Sequence, residues 1–463
     1  MLPIKVPRLI CALTGKNQFY CSKHLSTSTQ QFSSDTPKTQ HYDIIIAGGG
    51  MVGTTLACTL GKNKKLACKK ILLLEGGKKS SYQISDKYSN RVVALNPQTI
   101  SLFKKIDAWK HIARYGTVKQ LHVWDALSDA MINFNHDNMR DTVAYIIEND
   151  LILNSVNEEV NTLKTVTVEN NAKVKECEIG DNPNVLLLEN GSCYSCDLLL
   201  GCDGANSKVR DSMKAQYVNW SYNQRGVVAT LHLKGAEENC VAWQRFLPTG
   251  PIALLPLKEN MSSLVWSTTP AHADQLLKMS AQEFIDACNE ALWKVYKIDG
   301  FVGEATKLID NCLKVLNCPP NAIRQLPPSV CGFEEQSRAA FPLGFGHATK
   351  YVGDGVALVG DAAHKIHPLA GQGVNLGFGD IECLNRILGE AVYNGSTITN
   401  KDYLLRYETE RQRHNVPTML AVDGIHRMYN TEFTPLVMLR SIGLQLTHAL
   451  TPVKRSIIGH ASS

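Results

Sequence analysis

The stretch Asp43-Ile-Ile-Ile-Ala-Gly48-Gly-Gly50-Met-Val-Gly53 runs an apolar strand directly into a glycine turn. Gly48, Gly50 and Gly53 have G-x-G-x-x-G spacing, and the apolar segment Val52 to Leu60 that follows reads as a helix. In such a turn the first glycine permits the bend and the second lets backbone approach a pyrophosphate. The third lets helix lie close to strand, and the helix N-terminus offers free N–H groups to phosphate oxygens. A second apolar strand, Ile71 to Leu74, ends in Glu75, where a carboxylate can take the hydroxyls of a ribose. This order of elements predicts a dinucleotide site on a Rossmann-like parallel sheet.

The formal net charge of +5 misleads, because the first forty residues carry five basic residues against one acid and the remaining chain is close to neutral. No clustered excess charge suggests a nucleic-acid surface, so no nucleic-acid partner is expected. The leading segment, basic, poor in acids and rich in Ser and Thr from Ser26 to Ser34, reads as a mitochondrial transit peptide over residues 1–40. The fourteen cysteines lie mostly in apolar segments, as Cys58, Cys288 and Cys383 do, which suits buried thiols in a reducing compartment. The pair Cys193 and Cys196 lacks the second pair that a zinc site needs. With no run of eighteen apolar residues, no bilayer span is expected.

Further along, Leu121 to Trp124, Met131 to Phe134, Leu163 to Glu169 and Val185 to Leu188 read as strands. From Gly226 to Thr269 the strand signal is dense: Val227 to Leu233, Val241 to Phe246, Ile252 to Leu257 and Ser263 to Thr268 are divided by short turns, as in an antiparallel sheet. Ala281 to Val295 is helical, with Phe284, Ile285, Cys288, Leu292 and Val295 on one stripe. A proline-rich link between Pro319 and Pro328 follows, then a strand from Tyr351 to Val359 and a long helix from Gly373 to Val392. Two more helical segments, Tyr403 to Tyr429 and Leu436 to Ile458, are expected to break at Pro417 and Pro452. The expected class is α/β. A discontinuous dinucleotide-binding domain (41–115, 141–222 and 336–398) carries an inserted, mainly antiparallel β-sheet substrate domain (116–140 and 223–335). A C-terminal helical region covers 399–463.

Two more motifs narrow the ligand. One is Leu198-Leu-Leu-Gly-Cys-Asp203-Gly204-Ala-Asn-Ser207-Lys-Val-Arg210, a strand feeding a turn and a helix. The other is Val356-Ala-Leu-Val-Gly360-Asp361-Ala-Ala-His364-Lys-Ile-His367-Pro368-Leu-Ala-Gly371-Gln-Gly373-Val-Asn375. In the latter Asp361 ends a strand, where its carboxylate can accept from a ribityl hydroxyl. Gly371 and Gly373 open the long helix with exposed N–H donors and the positive dipole end. Such an end suits the pyrimidine edge of a flavin, which becomes negative on reduction. His364 and His367, beside this loop, read as hydrogen-bond partners that stabilise it, and no metal site is expected.

At these three motifs, in this order, the chain resembles the FAD-dependent aromatic hydroxylases, and most closely the members acting in ubiquinone biosynthesis. Segments that carry the closer likeness include Val241-Ala-Trp-Gln-Arg-Phe-Leu-Pro, Gly250-Pro-Ile-Ala-Leu-Leu-Pro-Leu and Tyr407-Glu-Thr-Glu-Arg-Gln-Arg-His-Asn. The likeness covers nearly everything after about residue 40 and is weakest from Asn154 to Asn184. It implies FAD as cofactor, with Gly48, Gly50 and Gly53 at the pyrophosphate, Glu75 at the adenosine ribose and Arg91 along the cofactor. By the same likeness Asp203 and Gly204 buttress the site, and Gly360 with Asp361 meets the ribitol. The loop Pro368 to Asn375, with Pro368, Gly371 and Gly373 at its centre, borders the flavin ring. Cys202 stands where the family more often has alanine.

The resemblance further implies oxygen transfer from a C4a-hydroperoxyflavin to ring carbon 5 of a polyprenylated 4-hydroxybenzoate-type phenol. It implies electrons from ferredoxin and ferredoxin reductase, O2 as co-substrate, and other ubiquinone-biosynthesis proteins in a complex. Peripheral association with the matrix face of the mitochondrial inner membrane also follows from it. No acid or base is assigned. Two other readings stand beside this one: an FAD hydroxylase of a small soluble aromatic, and a non-enzymatic FAD-fold escort of prenylated cargo. The C-terminal stretch, with Leu436, Val437, Leu439, Ile442, Leu444 and Leu446 beside Arg440, Lys454 and Arg455, is expected to cover the protein's own core rather than a membrane.

Overall fold

A computed structural model of the chain describes residues 39–79, 82–128, 130–135, 142–180, 183–235, 238–315 and 325–449. The expected leader, most of the proline-rich link and the chain beyond 449, including Lys454 and Arg455, lie outside these residues. The first strand begins at Gln40 and runs to Ala47 as Ile44, Ile45 and Ile46 pack out of solvent. It is flanked by two parallel neighbours, Ile71–Glu75 on one side and Cys193–Gly201 on the other. Val166–Asn170 and Val356–Leu358 extend the parallel order outward at either edge. Strands buried on both faces need continuous apolar runs, which is what Ile44 to Ala47 and Leu198 to Leu200 supply.

The helix Met51–Lys62 crosses from the first strand to the second and buries Thr54 through Leu60. Helices Asn149–Val160 and Gly373–Tyr393 complete this layer, the latter burying Phe378, Ile381, Leu384, Ile387 and Leu388. The second sheet has nine strands among the described residues, in which Tyr217–Lys234 pairs antiparallel with both Met261–Thr268 and Ala339–Ala348. One edge turns parallel where Val241–Leu247 meets Gln120–Asp125. The α/β architecture, with a mainly antiparallel second sheet and C-terminal helices, agrees with the sequence reading.

Several expectations need correction. Tyr351 to Val359 is a hairpin, Val352–Gly353 against Val356–Leu358, turned at Asp354-Gly355 with Gly355 at φ +64°. A side chain at Gly355 would lie within 2.8 Å of the Asp197 carbonyl. The Asp-Gly pair is a hairpin signal inside an otherwise strand-like run. Pro417 does not break its helix, which is continuous from Lys401 to Tyr429. The missing N–H costs about 3 kcal/mol, but the helix is anchored on both sides of the proline. Arg411 and Asn415 bind Asp380, and Asp423 accepts from Tyr222. Val295 is 80% exposed, because the helix stops at Trp293 before the stripe reaches it. Arg440, in keeping with a stretch expected to pack on the core, is buried: its guanidinium grips Asp125 in two hydrogen bonds of 2.8 and 3.1 Å, both side chains buried. It also donates to the carbonyls of Met428, Tyr429 and Thr431, capping the end of the preceding helix. Val437 is buried beside it, so the helix Thr434–Ala449 does cover the protein's own core, while Leu439 stays 56% exposed.

Candidate active site

Four separate stretches of chain converge at the carboxyl ends of the parallel strands. The first is the glycine turn. Gly48 has φ +104°, and a β-carbon there would stand 2.4 Å from the Cys202 carbonyl oxygen. At Gly53 a β-carbon would stand 1.8 Å from the Gly48 carbonyl oxygen, so only glycine lets this helix start so close to its strand. Gly50, the N-cap of the helix, is exposed and would meet nothing within 4 Å. The helix has no side-chain cap and no acid in its first turn. Its leading N–H groups therefore point into open space beneath a positive dipole end, which is a cradle for phosphate.

Glu75 ends the neighbouring strand and touches the same turn: its Oε2 lies 2.5 Å from where a Gly49 β-carbon would be, and its Oε1 accepts from the Gly77 N–H at 2.6 Å. From the other side comes the turn after Gly201. Asp203 Oδ2 accepts from the N–H groups of Lys208 and Val209, whereas its Oδ1 is buried with no partner in the protein. Gly204, at φ +81°, has open space where a β-carbon would sit. Arg210 ties this turn to the third stretch by donating to the carbonyls of Ala205 and Ala362.

That third stretch is packed on the first helix. β-Carbons at Gly360 and Gly377 would lie 3.2 and 3.0 Å from methyl groups of Val52. Gly360 has φ +64° and turns the chain so that Asp361 is reached by solvent yet ringed by protein. That crowding raises the Asp361 carboxyl above the usual range, while His364 and Lys365 pull it down. The fourth stretch is Val92–Leu95, preceded by Arg91, whose side chain is exposed. Gly371, at φ +62°, sits where a β-carbon would be 3.3 Å from Ala94.

Pro368 opens a short turn to Ala370, and Gly373 opens the long helix, again without a side-chain cap. Asn375 departs from the role expected of it. Its amide donates to the Ala94 and Gly371 carbonyls and accepts from Asn96 N–H and the Thr99 hydroxyl. All its hydrogen-bonding positions are taken by protein, so the side chain clamps the loop to Val92–Leu95 rather than facing outward.

Sequence reading missed what stands behind the loop. Asp380, fully buried, accepts from His364 Nε2 at 2.6 Å, Gly360 N–H at 3.0 Å, Arg411 Nε at 2.7 Å and Asn415 at 3.1 Å. Burial opposes its charge, but the His364 and Arg411 partners and these donors hold its carboxyl well below the ordinary range. An acid in the middle of an apolar helix, Gly-Phe-Gly-Asp380-Ile, was the available signal. His367 is likewise structural: Nδ1 accepts from Leu369 N–H at 3.1 Å, and its ring stacks on His426 at 4.7 Å. Burial, with His426 nearby, lowers its pKa to about 3, so it is neutral near pH 7. Cys193 and Cys196 lie on one strand, three residues apart, which sends their side chains to opposite faces. Among the described residues no group of His, Cys, Asp and Glu is placed to hold a metal.

Beside the loop lies a closely packed cleft lined by Phe246, Leu247, Pro251, Leu369, His426, Tyr429 and Asn430. The open space at Gly50 and Gly204, the unpartnered Asp203 Oδ1, the accessible Asp361 carboxylate and two uncapped helix starts fit an elongated diphosphate ligand with polyol and ring ends, as FAD is.

The sequence profile described as FAD binding domain matches residues 41–308 and 332–419. The protein named ubiquinone biosynthesis monooxygenase COQ6, mitochondrial, from Drosophila melanogaster is 49% identical over 436 residues, covering 92% of this chain and 91% of its own. Those of the same name from Danio rerio and Homo sapiens are each 46% identical, covering 95% and 91% of this chain and 93% and 92% of their own. Among solved structures, p-nitrophenol 4-monooxygenase PnpA from Pseudomonas putida aligns with TM-score 0.65 at 17% identity, covering 92% of this chain and 99% of its own. PqsL of Pseudomonas aeruginosa in complex with 2-aminobenzoylacetate aligns with TM-score 0.64 at 19% identity, covering 88% and 100%. At such identities the two structures speak for the fold alone. The cradle at Gly50, the two uncapped helix starts and the near full-length match together place the chain in the FAD-dependent aromatic hydroxylase family, as a flavin monooxygenase of the COQ6 branch.

Proposed function

We propose that this enzyme hydroxylates ring carbon 5 of a polyprenylated 4-hydroxybenzoate-type precursor in ubiquinone biosynthesis. The observation that carries the reading is the convergence of three glycine turns on one open cradle, in a chain matching COQ6 proteins over nearly its full length. Gly48, Gly50 and Gly53 hold the FAD pyrophosphate on the first helix start. Glu75 takes the adenosine ribose, Arg91 lies along the cofactor, Asp203 and Gly204 close its flank, and Asp361 with Gly360 meets the ribitol. Pro368, Gly371 and Gly373 border the flavin ring, and Asn375 holds that loop in place.

Bound FAD supplies two-electron chemistry and oxygen activation. One atom of O2 enters the ring, the other leaves as water, and two electrons and two protons come from outside. The chain's own share is positional. The helix start at Gly373 presents N–H groups to the electron-rich edge of the reduced ring. The walls Phe246, Leu247 and Tyr429 keep water from the reacting centre. By the resemblance to the ubiquinone-biosynthesis hydroxylases, the electrons are assigned to ferredoxin and ferredoxin reductase.

No helix among the described residues is long and apolar enough to cross a membrane. By the same resemblance, access to a prenylated substrate is assigned to peripheral contact with the matrix face of the mitochondrial inner membrane and to other ubiquinone-biosynthesis proteins. The test is reconstitution of purified protein with FAD, ferredoxin, its reductase, NADPH and a short-chain prenylated 4-hydroxybenzoate. One added oxygen at carbon 5, read by mass and NMR, is expected. FAD-loaded protein that leaves the ring untouched while consuming electrons refutes the substrate, and protein that never binds FAD refutes the site.

A further inference from the structure

The strand Tyr217–Lys234 does not run evenly against Ala339–Ala348. Ser221 pairs with Gly344 and Arg225 with Pro342, so Tyr222, Asn223 and Gln224 stand against the single residue Leu343. Asn223 takes φ +52° to make this bulge. Bulges re-aim side chains, often beside active sites, and here two side chains are delivered inward.

Gln224, buried, is the meeting point of three distant segments. Its Nε2 donates to the Thr249 carbonyl at 2.9 Å and approaches Asn430 Oδ1 at 3.4 Å. Gly250, at φ +136°, makes room for it, because a β-carbon there would lie 2.9 Å from that nitrogen. With Nε2 so engaged, Oε1 is the acceptor left for His367 Nε2 at 3.3 Å. The tautomer agrees: His367 Nδ1 accepts from Leu369 N–H, so Nε2 carries the proton and donates to Gln224. Tyr222, from the same bulge, sets its ring edge-on to His367 at 5.1 Å and donates its hydroxyl to Asp423 at 3.0 Å.

We infer that Gln224 is a positioning residue for the flavin-ring loop: through His367 it fixes the turn at Pro368 and Leu369, and so the start of the helix at Gly373. The inference rests on the reading of that loop as the border of the flavin ring. It implies that a side chain of the antiparallel sheet tunes the reduced cofactor without touching it. Breaking the link loosens the N–H groups facing the ring, which makes the bound flavin harder to reduce and lets water in.

The test uses Gln224→Leu, which keeps the bulk and removes all three hydrogen bonds of the side-chain amide, and His367→Phe, which keeps the ring against Tyr222 and His426 and removes both nitrogens. Each FAD-loaded variant and the double variant are measured for flavin reduction potential, for visible spectrum, and for peroxide released per electron consumed. Both singles are expected to show a more negative potential, an altered flavin spectrum and peroxide leakage raised at least about tenfold, the worth of one hydrogen bond of about 1.4 kcal/mol. The double is expected to be no worse than either single. Wild-type potential in either single, or effects that add in the double, overturns the link. If one single fails to fold, the other decides by its potential alone. If the parent protein binds no FAD, the functional reading fails, whereas a yellow parent with indifferent variants fails only this inference.

Discussion

Replacing Asp380 by Asn tests the buried network behind the cofactor turn. The carboxylate accepts four hydrogen bonds, two on each oxygen, from His364, Gly360, Arg411 and Asn415. An Asn of the same shape must present an NH2 group to one of these pairs, so two donors lose their acceptor and meet another donor. Each bond to a charged group is worth about 1.5–3 kcal/mol, and Arg411, mostly shielded from solvent, is left without its counter-charge. Removing one partner of such a pair costs about 3–5 kcal/mol. The expected loss is therefore about 3–5 kcal/mol near pH 7, read as the shift in urea unfolding of the FAD-free protein followed by circular dichroism.

The pH dependence has a definite sign. A carboxyl whose folded pKa is depressed contributes stability above its unfolded value, about 3.9, and loses it as pH falls through the folded value. The gap between parent and variant should hold from pH 8 to about 5 and close only in strong acid. Lys401→Ala serves as the control: its pair with Asp354 is exposed on both sides, and a loss under about 1 kcal/mol is expected. An Asp380→Asn protein within about 1 kcal/mol of the parent at pH 7 would refute the argument that this carboxylate's charge is satisfied only by its buried donors.

Other expectations follow from the same geometry. Gly50→Ala should leave the FAD-free melting temperature unchanged, since nothing lies within 4 Å, yet weaken FAD binding at least about tenfold by fluorescence titration. Gly53→Ala should lose FAD and stability together, because its β-carbon would enter the Gly48 carbonyl. Arg440→Met should cost about 3–5 kcal/mol in urea unfolding. Asp125→Leu combined with Arg440→Met should recover part of that loss, since no unpaired charge then stays buried. Glu75→Gln should weaken FAD binding while sparing the fold, with adenosine competition in the titration locating the defect at the ribose end.

The dinucleotide turn, the long helix after Gly373 and the antiparallel strands from Val227 to Thr268 were legible because each is specified locally. Apolar periodicity and glycine spacing act over a few residues, and the structure honours them. The hairpin at Asp354-Gly355 was legible too, had the turn pair been weighed above the apolar run around it. The rest was set by partners far away in the chain. Asp380 is an acid on an apolar helix until Arg411, Asn415 and His364 surround it, and the same contacts carry the helix through Pro417.

Asn375, chosen as a cofactor residue for its place in the motif, turns inward because Ala94 and Asn96 reach it from 279 to 281 residues away. Arg440, on a stretch expected to pack on the protein's own core, becomes a buried cap only by virtue of Asp125. Local pattern thus determined the strands, the turns and the class of ligand. Which polar side chains face that ligand and which hold the walls was decided by tertiary packing, because a buried charge or amide takes its role from whichever donors and acceptors the fold brings within 3 Å.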